Sequence, residues 1–221
     1  MLASYLDSTN LKPEATENSI RMLCEEALGY EMAAVCIHPC HLALAHEILA
    51  NSSVKLCTVI GFPLGAELLS AKVYSAREAL YNGAAELDMV INIGAVKDKA
   101  FRKIYKEIQN ILLLKNEYQF TLKVIVETAL LDELELAYLT EIISETKADF
   151  IKTSTGFSSR GVSMQDIKII KAHKNEELNI KASGGVKNLD FALELIQAGV
   201  DRIGSSNAGY LVEEFIKRGG L

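Results

Sequence analysis

One pattern in this 221-residue chain restricts its fold more than any other. A short apolar run returns at nearly even intervals, each time after an amphipathic stretch and a stop. Two copies are Gly29-Tyr30-Glu31-Met32-Ala33-Ala34-Val35-Cys36 and Gly83-Ala84-Ala85-Glu86-Leu87-Asp88-Met89-Val90. Two more are Lys147-Ala148-Asp149-Phe150-Ile151-Lys152 and Gly199-Val200-Asp201-Arg202-Ile203-Gly204. A glycine after a periodic apolar stretch marks a helix end, and the run that follows reads as a buried strand. The same grammar along the whole chain predicts eight strands, at residues 5–7, 34–37, 55–60, 86–91, 122–127, 150–153, 180–183 and 202–204. From Asp7 to Ile203 the interval averages about 28 residues, room for one strand, one helix and two loops. Between the strands, Ile20, Leu23, Cys24, Ala27 and Leu28 share a helical face, Asn188 is placed to cap a helix, and Ser163 with Asp166 forms a capping box. Eight such units predict an α/β fold of the (β/α)8 TIM-barrel type, a single domain over residues 1–221. The alternative is a doubly wound open sheet, whose usual G-x-G-x-x-G turn after the first strand is missing.

Composition removes several functions. The net charge is −6, so no global basic field draws nucleic acid or an anionic membrane. No apolar run approaches the roughly 18 residues of a membrane span, and Met1-Leu2-Ala3-Ser4-Tyr5 has no basic segment of a secretory signal. Cysteines at 24, 36, 40 and 57 read as reduced thiols of a cytoplasmic protein. The run Cys36-Ile37-His38-Pro39-Cys40-His41 resembles a metal-ligand set, but its spacing suits neither zinc ribbons nor H-E-x-x-H helices. It reads as a strand-to-helix turn with Cys36 near the barrel mouth, and no metal is expected. His46, His173 and the charged stretch at residues 97–106 read as solvated helix surface.

In such a barrel chemistry sits at the C-terminal ends of strands. Alternation there turns Glu86, Asp88 and Val90 toward the axis if Leu87, Met89 and Ile91 face the helices. Inward Lys152 and Lys181 on neighbouring strands would be desolvated and would repel each other, and both effects favour a neutral, nucleophilic amine. Asp88 faces them as a proton carrier. A purely structural ion-pair cluster, with Lys123 and Glu127 as further members, is the competing interpretation. Gly184-Gly185 after strand seven and Gly204-Ser205-Ser206 after strand eight are placed to form a backbone phosphate cradle, completed by Gly156 after strand six.

These residues also carry a resemblance. Asp7-Ser8-Thr9-Asn10-Leu11, Gly61-Phe62-Pro63-Leu64-Gly65, Glu86-Leu87-Asp88, Phe150-Ile151-Lys152-Thr153-Ser154-Thr155-Gly156 and Lys181-Ala182-Ser183-Gly184-Gly185-Val186 occur in order from end to end. Together they resemble the deoxyribose-phosphate aldolases, class I (Schiff-base) enzymes of the (β/α)8 type. The resemblance implies reversible cleavage of 2-deoxy-D-ribose 5-phosphate to D-glyceraldehyde 3-phosphate and acetaldehyde, in deoxyribonucleoside catabolism. It implies Lys152 as the Schiff-base lysine, Asp88 and Lys181 as the proton donor/acceptor pair, and Asp7 and Thr9 on the pocket floor. No cofactor is implied, and the assembly is expected to be a homodimer. Some members carry a tail ending in tyrosine that assists proton transfer; the last tyrosine here is Tyr210. Two other functions compete: a barrel acting on another phosphosugar by Schiff base or isomerisation, and a catalytically silent phosphosugar binder whose lysines are charge partners only.

Overall fold

The computed structural model describes residues 2–220. Eight strands, β1 (Leu6–Asn10), β2 (Ala34–Ile37), β3 (Lys55–Ile60), β4 (Glu86–Val90), β5 (Thr121–Ile125), β6 (Phe150–Lys152), β7 (Asn179–Ser183) and β8 (Arg202–Ser205), form a closed parallel barrel. Closure comes from the pairing of β1 with β8, Leu6 opposite Ile203 and Asp7 opposite Gly204. This rules out the open-sheet alternative.

Helices α1 (Glu17–Gly29), α2 (Leu42–Leu49) and α3 (Leu69–Tyr81) follow the first three strands. The β4–β5 connection holds two, α4 (Ile93–Lys97) and α5 (Phe101–Leu112). Helices α6 (Glu133–Thr146), α7 (Met164–His173), α8 (Leu189–Gln197) and α9 (Ala208–Lys217) complete the ring. The caps fall where the sequence places them. Asn188 accepts from the Phe191 amide at 2.9 Å, and Ser163 and Asp166 bond each other's backbone amides at 3.2 and 2.9 Å. Such a cap contributes about 1 kcal/mol.

Alternation divides the core in two. Leu87, Met89, Leu122, Val124, Ile151 and Ile180 point outward into a continuous apolar layer under the helices. Inside, a smaller apolar cluster of Leu11, Ala34, Cys36, Cys57 and Val59 lies near β2 and β3, with Phe62 against it, and Val90 and Ile125 are buried side by side on β4 and β5. Much of the remaining axis is filled by charge, where barrels of this type usually carry branched aliphatic side chains. Buried charges are tolerated only when paired and hydrogen-bonded.

Candidate active site

The site grows from the alternation of β4 through β8 and β1. Register sets Asp88 opposite Lys123 and Lys152 opposite Lys181. The fully buried Asp88 carboxylate receives five donors. Oδ1 accepts from Lys123 Nζ at 2.9 Å and from the Cys57 thiol at 3.1 Å. Oδ2 accepts from Lys152 Nζ and Lys181 Nζ, both at 2.7 Å, and from the Cys36 thiol at 3.8 Å. Burial alone would raise this carboxyl, but Lys123, Lys152 and Lys181 outweigh it and hold it well below the ordinary carboxylate range. Asp88 is therefore ionised at any working pH.

Lys181 bonds both Asp88 and Asp7. The expectation that burial and repulsion together lower its pKa does not hold. Burial does act downward, but the two carboxylates prevail and keep the ammonium above the usual lysine range. Lys181 is thus a proton carrier in its charged form.

Asp7 and Thr9 part company. Thr9 lines a cavity of about 460 Å³ at the C-terminal mouth of the barrel, whereas Asp7, two residues earlier and fully buried, does not. Asp7 lies deeper on the axis, between Lys181 and Arg202, so its expected place on the pocket floor is corrected to a place beneath it. Burial would raise the Asp7 carboxyl, but Lys181 and then Arg202 bring it down to about 2. A folded value below the unfolded one stabilises the fold above the unfolded value, and that stabilisation disappears as pH falls from about 4 toward about 2. It amounts to about 2 kcal/mol. Urea unfolding of Asp7→Asn at stepped pH is expected to lose this part of the acid dependence; an unchanged slope would contradict the assignment.

The structure places Lys152, Gly156, Gly184, Gly185, Ser205 and Ser206, all named from the sequence, in the cavity wall, together with Thr155, which was not. The loops that carry them meet closely: a Cβ on Gly161 would stand 1.9 Å from the Gly184 carbonyl oxygen, so only glycine fits. Gly156 and Gly185, both at positive φ, have nothing within 4 Å of a built Cβ and face open space. The Ser205 hydroxyl donates to Val186 O at 2.7 Å and accepts from the Asn207 amide at 3.0 Å, tying the β7 loop to the start of α9.

Lys12, Lys187, Asn10 and Asn207 also line the cavity and went unrecognised in the sequence. Lys187 stands two residues beyond the Gly184-Gly185 turn, a position that could have signalled it. Three lysines and no carboxylate line this cavity among the described residues. In a chain of net charge −6 that is a local concentration of positive charge.

The cluster around Asp88 contains Lys123 but not Glu127. Strand β5 ends at Ile125, and Glu127 turns off it at φ 56°, in the left-handed region. There it accepts from the Thr155 amide at 3.2 Å and from the Thr155 hydroxyl. The run at residues 36–41 is dispersed: Cys36 is buried on the axis, the His38 ring meets Leu11 O at 2.9 Å, and Cys40 is exposed. Cys36 is not at the cavity wall.

The mouth of the closed barrel thus holds a lysine on a buried carboxylate, with a cationic, glycine-lined cavity above it. Residues 2–211 match the DeoC/LacD family of aldolases, and the chain belongs to that family. It is 50% identical to a deoxyribose-phosphate aldolase of Metamycoplasma hominis over 90% of this chain and 91% of that one. It is 44% identical to that of Thermococcus kodakarensis, covering 96% of each. The solved tetrameric deoxyribose phosphate aldolase of Aeropyrum pernix superposes with a TM-score of 0.91 at 34% identity, over 98% of this chain and 92% of that one. The protein is an aldolase. No helix among its described residues is long and apolar enough to cross a membrane.

Proposed function

We propose that the chain cleaves 2-deoxy-D-ribose 5-phosphate reversibly to D-glyceraldehyde 3-phosphate and acetaldehyde through a Schiff base on Lys152, as a cytoplasmic homodimer in deoxyribonucleoside catabolism. One observation carries this reading: of the three lysines on Asp88, only Lys152 also lines the cavity. The relatives' names support the substrate, and the cationic cavity suits its phosphate.

The neutral amine of Lys152 attacks the aldehyde carbon of the open-chain sugar. Lys181 donates a proton to the carbinolamine hydroxyl, and water leaves as the iminium forms. Lys181, now neutral, takes the proton of the C3 hydroxyl. The C2–C3 electron pair then moves toward the cationic nitrogen, releasing glyceraldehyde 3-phosphate and leaving an enamine. Lys181 returns the proton to C2; water then adds to the resulting iminium and gives its proton to Lys181, and the carbinolamine collapses to acetaldehyde and the neutral amine of Lys152. Asp88 holds both amines throughout and stabilises each cation as it forms.

The phosphate is bound by the Gly156, Gly184, Gly185 and Ser205–Ser206 backbone, with Lys12 and Lys187 supplying charge. Neither lysine forms an ion pair among the described residues, so both are available to the ligand. Replacing either by alanine is expected to raise KM about tenfold with little change in kcat, and sulfate should compete less well with substrate in the double variant. An unchanged KM in the double variant would remove them from the site. The function itself is tested by acetaldehyde release from 2-deoxyribose 5-phosphate beside unphosphorylated deoxyribose. Efficient release from the former only is expected; equal efficiency would refute the phosphate assignment, and no release from either would refute the substrate.

A further inference from the structure

The barrel axis holds four cationic side chains, Lys123, Lys152, Lys181 and Arg202, against three carboxylates, Asp7, Glu86 and Asp88. Their contacts are unequal. Lys123 meets Glu86 at 2.5 Å, Asp88 at 2.9 Å and Asp7 at 4.0 Å. Arg202 meets Asp7 at 2.5 Å and Glu86 at 3.2 Å. Lys181 meets Asp7 and Asp88, and Lys152 meets Asp88 alone.

We infer that Lys123, Glu86 and Arg202, none of which lines the cavity, are positioning residues for the reaction, fixing the number of protons on the axis so that Lys152 is the amine left neutral. The inference rests on Lys152 as the Schiff-base lysine. With all four cations charged, a water-poor interior would carry one unmatched positive charge, which is costly. Arginine does not give up its proton. Among the lysines, Lys152 has the fewest carboxylates and is the one open to the cavity, where a released proton reaches water.

Other charges nearby do not alter this count. Glu127 sits above β5 on Thr155 and faces Arg160. Lys72 and Glu107 neutralise each other at 2.6 Å on α3 and α5, outside the barrel, where Lys72 also donates to Val90 O. The Cys36 and Cys57 thiols both donate to Asp88 and so enter the cluster as neutral S–H groups, although the hydrogen bond from Cys57 draws the Cys36 thiol below its ordinary range. Lys12 and Lys187 are exposed at the cavity rim and screened by solvent.

The test is the pH profile of kcat/KM in Glu86→Gln, Lys123→Met and the double variant, each also trapped with acetaldehyde and borohydride. Glu86→Gln deepens the positive excess, so the acidic limb should move down by about one pH unit. Lys123→Met removes the excess, so the limb should move up by about as much. The double variant restores the original balance, and its limb should return close to wild type. Damage to packing would lower rates without splitting the limbs in opposite directions. If Lys123→Met does not fold, Glu86→Gln decides by its direction, and Lys123→Arg, which keeps the charge, should leave the limb in place. Limbs that stay put, or move together, overturn the inference while adducts on Lys152 keep the mechanism. A wild-type adduct elsewhere overturns the mechanism itself.

Discussion

Lys152→Ala is expected to lose turnover by at least about four orders of magnitude, with no covalent adduct left to trap. No neighbouring amine replaces it. Lys123 and Lys181 also bond Asp88, but neither lines the cavity, and each is held by further carboxylates deeper on the axis. Lys12 and Lys187 reach the cavity from its rim without contact to Asp88 among the described residues. The substitution leaves Lys123, Lys181 and Arg202 matched to Asp88, Asp7 and Glu86, so the fold should survive. Steady-state acetaldehyde release measures the effect. Retention of even a tenth of wild-type turnover would show that the bond is cleaved without this amine.

Asp88→Asn is expected to do two things at once. Its kcat should fall about 10²- to 10³-fold, the order lost with one preorganised electrostatic group, because nothing then holds both amines or stabilises the cations, with KM changing much less. Stability should fall as well, by about 3–5 kcal/mol, because a neutral amide would replace the carboxylate shared by Lys123, Lys152 and Lys181. Urea unfolding and kinetics on the same preparation separate the two effects. A raised KM at normal kcat would make Asp88 a binding group instead, and unchanged stability would deny its place at the centre of the charge cluster.

Much of this site follows from a two-residue period. Alternation on β4, β6 and β7 is enough to turn Asp88, Lys152 and Lys181 inward, and the barrel's closure brings them together. The same rule fails where the chain leaves the strand. Glu127 shares parity with Lys123, yet a left-handed turn carries it to Thr155. Parity also says nothing of depth, which is why Asp7 and Thr9, on one face of β1, end on opposite sides of the cavity floor. Lys12 and Lys187 sit on loops, where no period marks a residue, and their long side chains owe their importance to the cavity around them. The balance of charges could not be read from β6 and β7 alone. Two lysines side by side predict mutual repulsion, but Asp7 and Asp88 make Lys181 a firmly held ammonium.

The account turns on Lys152 as the amine that meets the aldehyde. Borohydride reduction of the wild-type protein in the presence of acetaldehyde, followed by peptide mapping, tests this most directly. A single ethyl group on Lys152, absent when neither acetaldehyde nor 2-deoxyribose 5-phosphate is present, is the expected result. An ethyl group on Lys181 or Lys123 with Lys152 unmodified, or no adduct in an enzyme that still releases acetaldehyde, would contradict it.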